Sequence, residues 1–195
     1  MTDFGKGDFQ NITRHTIDML IDAEDADSPI TQVLENWLEL KNGGQSAPRA
    51  DQFDIAKLWQ MKIPNHVTNT DCLMEDPGRF HIIYRAHDAG NIPRIYGDRV
   101  TELRLGDMPC RLHSRYLQRD YVGAKADADP RTLHYQRFKQ RIRGYCRDYT
   151  RLLLPFAAPD GTIGRIMGVS RPNHSPYFDP FPDTVRDSSN RWSEW

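Results

Sequence analysis

Several common chemical signatures are missing from this sequence. Cysteine is scarce: Cys72, Cys110 and Cys146 are widely spaced and no CxxC pair occurs. An odd, scattered set argues against a disulfide framework and fits reduced thiols in a cytoplasmic protein. Neither GxGxxG nor GxxxxGK[ST] is present, so the usual phosphate-cradling loops are absent. No apolar run approaches the roughly 20 residues of a membrane helix. The start, MTDFGKGDFQN, lacks the basic segment and apolar run of a secretory signal. Charge is not one-sided either: 26 Lys and Arg oppose 27 Asp and Glu, for a formal net charge of -1. The chain as a whole therefore has no electrostatic basis for binding nucleic acid. These absences point to a soluble cytoplasmic protein without a membrane partner.

The 195 residues are 38% apolar and 27% charged, with a mean hydropathy of -0.72. Such a polar chain is expected to keep part of its length outside the core. The length suits one domain with decorated ends: an N-terminal extension over residues 1–29, a domain over 30–170, and an extended tail over 171–195. In ITRHTIDMLID, residues 12–22, the spacing of Ile12, Ile17, Leu20 and Ile21 predicts a short amphipathic helix. Ser28-Pro29 reads as an N-cap followed by a first-turn proline. The helix it opens carries Ile30, Val33, Leu34, Trp37 and Leu38, and Asn42-Gly43-Gly44 ends it. Two β-rich runs, VTNTDCLM and RFHIIYRAH, flank the turn Glu75-Asp76-Pro77-Gly78. Short looped pieces follow, and residues 112–143 read as helix, break, helix. Leu152 to Phe156, the turn Pro159-Asp160-Gly161 and Ile163 to Val169 make a second strand pair. Strands in hairpins with helices between them predict an α+β fold with an antiparallel sheet. In the closing pair, Thr150, Leu152, Leu154 and Phe156 share one face and Tyr149, Arg151 and Leu153 the other. Pro155 donates no ladder hydrogen bond, which predicts a strand edge or bulge at that point.

Several of these residues resemble a pattern found in a bacterial family of PAS-like sensor domains. The matching positions are Trp37, Pro48-Arg49, Phe53-Asp54, Tyr84-Arg85, Leu103 to Gly106, Leu152-Leu153-Leu154-Pro155-Phe156 and Asp160-Gly161. They are spread from Val33 to Val169. The resemblance implies a five-stranded antiparallel sheet, with helices between its second and third strands covering one face, and here an N-terminal helical extension. IRGYCRDYTR leaves little room for the short strand that the family carries before its Leu-Leu-Leu-Pro strand. The resemblance also implies a sensing or signalling role and brings no catalytic residue with it.

Candidate sites stand beside plainer readings. Arg131, Arg137, Lys139, Arg141, Arg143, Arg147 and Arg151 crowd a short stretch. They would form the solvated face of a helix, pair with the acidic N-terminal run from Asp18 to Glu39, or hold an anion. Cys110 and His113 could meet on a helix as a nucleophile–base pair, and His81 and His87 could share a strand face, but no further ligands at metal-site spacing accompany either pair. Tyr84, Arg85, Tyr96, Tyr116, Tyr149 and Arg151 could converge over one sheet face and bind a small polar or aromatic molecule; otherwise they are tyrosines and arginines at the rim of a core. No catalytic residue, metal or cofactor is expected, and any ligand is an unknown small molecule. The expectation is a sensory or adaptor domain without an output module, signalling to a separate partner protein. A sheet face left bare would favour a homodimer built partly from Leu34, Trp37 and Leu38. The alternatives are a small enzyme using Cys110 or Cys146 with a histidine, and a ligand-free interaction module.

Overall fold

A computed structural model of the chain describes residues 9–15, 18–20, 24–42, 47–54, 67–85, 103–108, 111–126, 133–142 and 145–173. Within them the fold is α+β, built on a six-stranded sheet in which every strand pair is antiparallel. The elements in chain order are β1 (Phe9–His15), α1 (Pro29–Lys41), β2 (Val67–Asp71), β3 (His81–Arg85), α2 (Arg111–Ala126), β4 (His134–Ile142), β5 (Tyr145–Ala157) and β6 (Ile163–Pro172). In space the strands run β1-β4-β5-β6-β2-β3.

Among the described residues the sheet has six strands rather than the five expected, and β1 was not anticipated as a strand. The helix expected over residues 12–22 does not include Ile12 to His15, and Phe9–His15 is a strand. It pairs with β4 along its whole length, from Phe9 opposite Arg141 to His15 opposite Tyr135. A partner edge outweighs weak local helical spacing here, since intrinsic propensity is worth only tenths of a kcal/mol per residue. The second half of residues 112–143 is also strand rather than helix. In β4, buried Tyr135 and exposed Arg137 and Lys139 alternate with His134, Gln136 and Phe138, the two-residue period of a strand. A strand, β4, thus precedes β5, which begins at Tyr145.

The α1 boundaries follow the sequence signals. Ser28 Oγ accepts from Ile30 N at 3.2 Å, Pro29 opens the helix, and Asn42 closes it in the left-handed conformation at φ 47°. Its buried face is Ile30, Val33, Leu34, Asn36 and Trp37. These pack with Val67, Tyr135, Leu152, Leu154, Phe156, Met167 and Val169 on one side of the sheet. On the opposite side, Leu117, Tyr121 and Ala124 of α2 pack with Leu153, Ile166, Ile82, Phe80 and Leu105. Both faces are thus covered by helices of the same chain. Leu34 and Trp37, expected at a dimer interface, are 5% and 0% exposed within this core and have no surface left to offer a second copy; Leu38 faces outward at 41%.

Pro155 lies in the interior strand β5, yet its missing N–H leaves no gap. Pairing with β4 reaches only Leu153, so Pro155 lies beyond that neighbour's end. Its carbonyl instead accepts from Trp37 Nε1 at 2.8 Å. The irregularity falls just after it, between Phe156 and Ala157. The β5–β6 turn is held by Asp160, whose Oδ1 accepts from Thr162 N and Oγ1, and Gly161 supplies the φ of 86°.

A second clamp ties the N-terminal segment to the end of the sheet. Arg171 of β6 donates from Nε and Nη2 to the two carboxylate oxygens of Glu24, at 2.5 and 2.7 Å. Ser28 Oγ and Tyr135 Oη donate to the same carboxylate at 2.6 and 2.8 Å. Burial pushes the Glu24 carboxyl up, but the hydrogen bonds from Arg171, Ser28 and Tyr135 and the charge of Arg171 outweigh it and hold it below the ordinary value. A depressed carboxyl contributes stability above its unfolded pKa and loses it as pH falls through the folded value. Glu24→Gln should therefore cost about 1–3 kcal/mol at pH 7. Its urea midpoint should converge on that of the parent protein as pH drops below about 4.5. A constant gap across that window would contradict the clamp.

Candidate functional site

The strand registry sets up a polar row on the α2 side of the sheet. Arg14 of β1 lies opposite Gln136 of β4, Gln136 opposite Arg151 of β5, and Arg151 opposite Ser170 of β6. Directly opposed residues share a face, and this face meets α2, where Asp120 is buried among the apolar positions. The Asp120 carboxylate bridges two strands: Arg151 Nη2 donates to Oδ2 at 2.7 Å, and Arg14 Nη2 to Oδ1 at 3.1 Å. The Arg151 and Asp120 side chains are 7% and 2% exposed, whereas Arg14 is 54% exposed and approaches from the rim.

Arg151 Nη2 also donates to Gln136 Oε1 at 2.9 Å. The guanidinium carbon lies 4.5 Å from the centre of the Phe138 ring and 5.9 Å from that of Tyr121. Phe138 in turn stacks on Tyr149, with ring centres 4.8 Å apart and planes 3° from parallel. Cation–π contact on two rings and two acceptors on one nitrogen fix the guanidinium plane. Neither family models nor curated proteins match this chain.

Beside the arginine, Thr70 Oγ1 donates to Tyr121 Oη at 3.5 Å, and burial pushes the Tyr121 hydroxyl up, so it stays protonated. A Cβ at Gly168 would stand 2.7 Å from Thr68 Oγ1, so glycine leaves room for the Thr68 side chain on the neighbouring strand. Two donors in this cluster, Arg151 Nε and Gln136 Nε2, are buried without a hydrogen-bond partner.

Of the residues expected to converge, the structure brings together Tyr149 and Arg151, with Phe138 between them. Tyr116 is half-buried on α2. Tyr84 and Arg85 lie on β3, but their side chains, like all of Tyr96, fall outside the described residues. The basic stretch is not a helix face: Arg137 and Lys139 lie on exposed positions of β4 and Arg151 is in the core. The acidic run does supply an ion pair, between Glu24 and Arg171; Asp22 and the side chains of Arg131, Arg141, Arg143 and Arg147 lie outside the described residues.

The thiol–imidazole pairs are not testable at Cys110 or His87, which are outside the described residues, as is the Cys146 side chain. His113 is buried on α2 and His81 half-buried on β3. Among the described residues no group of three or more His, Cys, Asp or Glu could hold a metal. No described helix is long and apolar enough to cross a membrane. Cys72 is fully buried, and burial pushes its thiol far above the ordinary range. Only the thiolate reacts readily, so peptide mapping after iodoacetamide treatment of the native protein should find Cys72 unmodified. Rapid native labelling there would mean that the α2 side opens.

Sequence reasoning missed Asp120, Gln136, Phe138, Tyr121 and Arg14. Asp120 had a signal: it falls on the α2 stripe between Leu117 and Ala124, where a charge at an apolar position demands a partner. Tyr121 follows Asp120 on α2, whereas Arg14, Gln136 and Phe138 depended on recognising β1 and β4 as strands.

Proposed function

We propose that this chain is a PAS-like sensory or adaptor domain that binds a small molecule between α2 and the sheet and passes its signal to a separate partner protein. The observation that carries the proposal is the buried polar cluster around Arg151. An apolar core gains nothing from burying a guanidinium, a carboxylate and an amide with donors unmet, at about 1–3 kcal/mol for each unsatisfied group. Groups held this way fit a binding site.

The element order adds support. Strands β2 to β6 make an antiparallel five-stranded set, with α2 between its second and third members and lying on one face. That is the arrangement the PAS resemblance implies. Strand β1 and helix α1 are then additions, one extending the β4 edge and the other closing the second face. A homodimer would have to use surfaces other than Leu34 and Trp37.

Native mass spectrometry of freshly purified protein, with an absorption spectrum of the same sample, tests the proposal and reads the oligomeric state. A retained small mass or a visible band, lost on denaturation, is the expected result. A bare mass, no absorbance and no thermal shift with any member of a metabolite panel would overturn small-molecule binding and favour a ligand-free interaction module.

A further inference from the structure

We propose that the ligand presents a planar oxyanion, with a carboxylate as its simplest form, to Arg151 Nε and Gln136 Nε2. This rests on the reading of the α2-side cluster as a binding site and specifies its chemistry. The amide orientation follows from the arginine: Gln136 Oε1 accepts from Arg151 Nη2, so Nε2 must be the other amide atom, directed away with two N–H groups to give. Arg151 Nη2 is occupied by Asp120 and Gln136, whereas Nε is buried and unpartnered. Both side chains are more than nine-tenths buried, Arg151 at 6% and Gln136 at 0% exposure.

Both unmet groups are donors, and they belong to residues directly opposed on β4 and β5. A cation would find donors where it needs acceptors. A neutral carbonyl brings one oxygen, whereas a carboxylate brings two, one for each donor, and makes the stronger charge-assisted hydrogen bond to the guanidinium. A planar oxyanion with two acceptor oxygens answers both donors. Phe138 and Tyr121 already fix the guanidinium plane, so little side-chain ordering remains to be done on binding.

The test is titration of the full chain with sodium acetate and sodium benzoate, replacing sodium chloride at constant ionic strength. It is read by the Arg151 Nε–Hε resonance and by thermal shift. The expected result is a saturable shift of that resonance with a rise in midpoint. Gln136→Glu places a carboxylate beside Arg151 from within the protein. It removes the Nε2 donor and repels an added anion without creating a cavity, so it should lose the acetate response by at least about tenfold, the equivalent of 1.4 kcal/mol. Leu38→Ala, on the exposed side of α1, should keep the response. A non-saturating shift common to all salts, or an equal response in Gln136→Glu, would mean an adventitious ion only and overturn the oxyanion assignment. If acetate fails but native mass spectrometry finds a bound cation or a ligand without an acidic group, the assignment falls and small-molecule binding stands. If neither anion nor metabolite binds, both fall.

Discussion

Asp120→Ala should lower stability by about 3–5 kcal/mol, the usual cost of stripping one partner from a buried ion pair. The substitution removes the acceptor of Arg151 Nη2 and of Arg14 Nη2 together. Arg14 can turn to water from its 54% exposed position, but Arg151, at 7%, cannot. The loss should therefore follow Arg151. Arg151→Met combined with Asp120→Ala should be more stable than Asp120→Ala alone, because no uncompensated charge then stays in the core. Urea denaturation of the two single variants and the double variant gives the coupling directly. A single Asp120→Ala variant within about 1 kcal/mol of the parent would mean that water reaches the pair freely.

Trp37→Ala should have a comparable effect, about 3–5 kcal/mol, for removing a fully buried aromatic. Its indole fills the α1 side of the core and donates to Pro155 O across 118 residues of sequence. Trp37→Phe separates the two contributions. It keeps most of the apolar contact and strands the Pro155 carbonyl, so about 1–3 kcal/mol of the loss should remain. Thermal denaturation of the two variants in parallel reads the difference. Equal stability of Trp37→Phe and the parent would mean that the carbonyl finds another donor.

Signals in the sequence that are local were legible. Ser28-Pro29 and Asn42 bounded α1, the alternation through Leu152, Leu153 and Leu154 assigned β5 to two faces, and Asp160-Gly161 gave its turn. The class, α+β with antiparallel hairpins, followed from these. What stayed hidden is set by pairing between distant strands. Phe9–His15 carries no pattern strong enough to choose strand over helix, and the choice is made by the free edge of β4. Leu133, Phe138 and Ile142 imitate a helical stripe, and only the pairing of β4 shows that Phe138 and Gln136 belong on one face. Since the row on the sheet is drawn from β1, β4 and β5, losing two of those strands lost all of the row but Tyr149 and Arg151. Leu34 and Trp37 had been read correctly as an apolar stripe; which surface they would cover is a tertiary fact.

The long reach of the N-terminal segment has a kinetic consequence. The Glu24–Arg171 clamp closes over 147 residues and the Arg14–Asp120 pair over 106. On a translating ribosome β1 and α1 emerge long before the strands that receive them, and the pairing edge of β1 and the apolar face of α1 wait in solution for β4, β5 and β6. Such non-local closure places folding in the slow, millisecond-to-second range. It also makes the stretch from Phe9 to Lys41 a segment for which holding chaperones can compete while the remaining strands are being made.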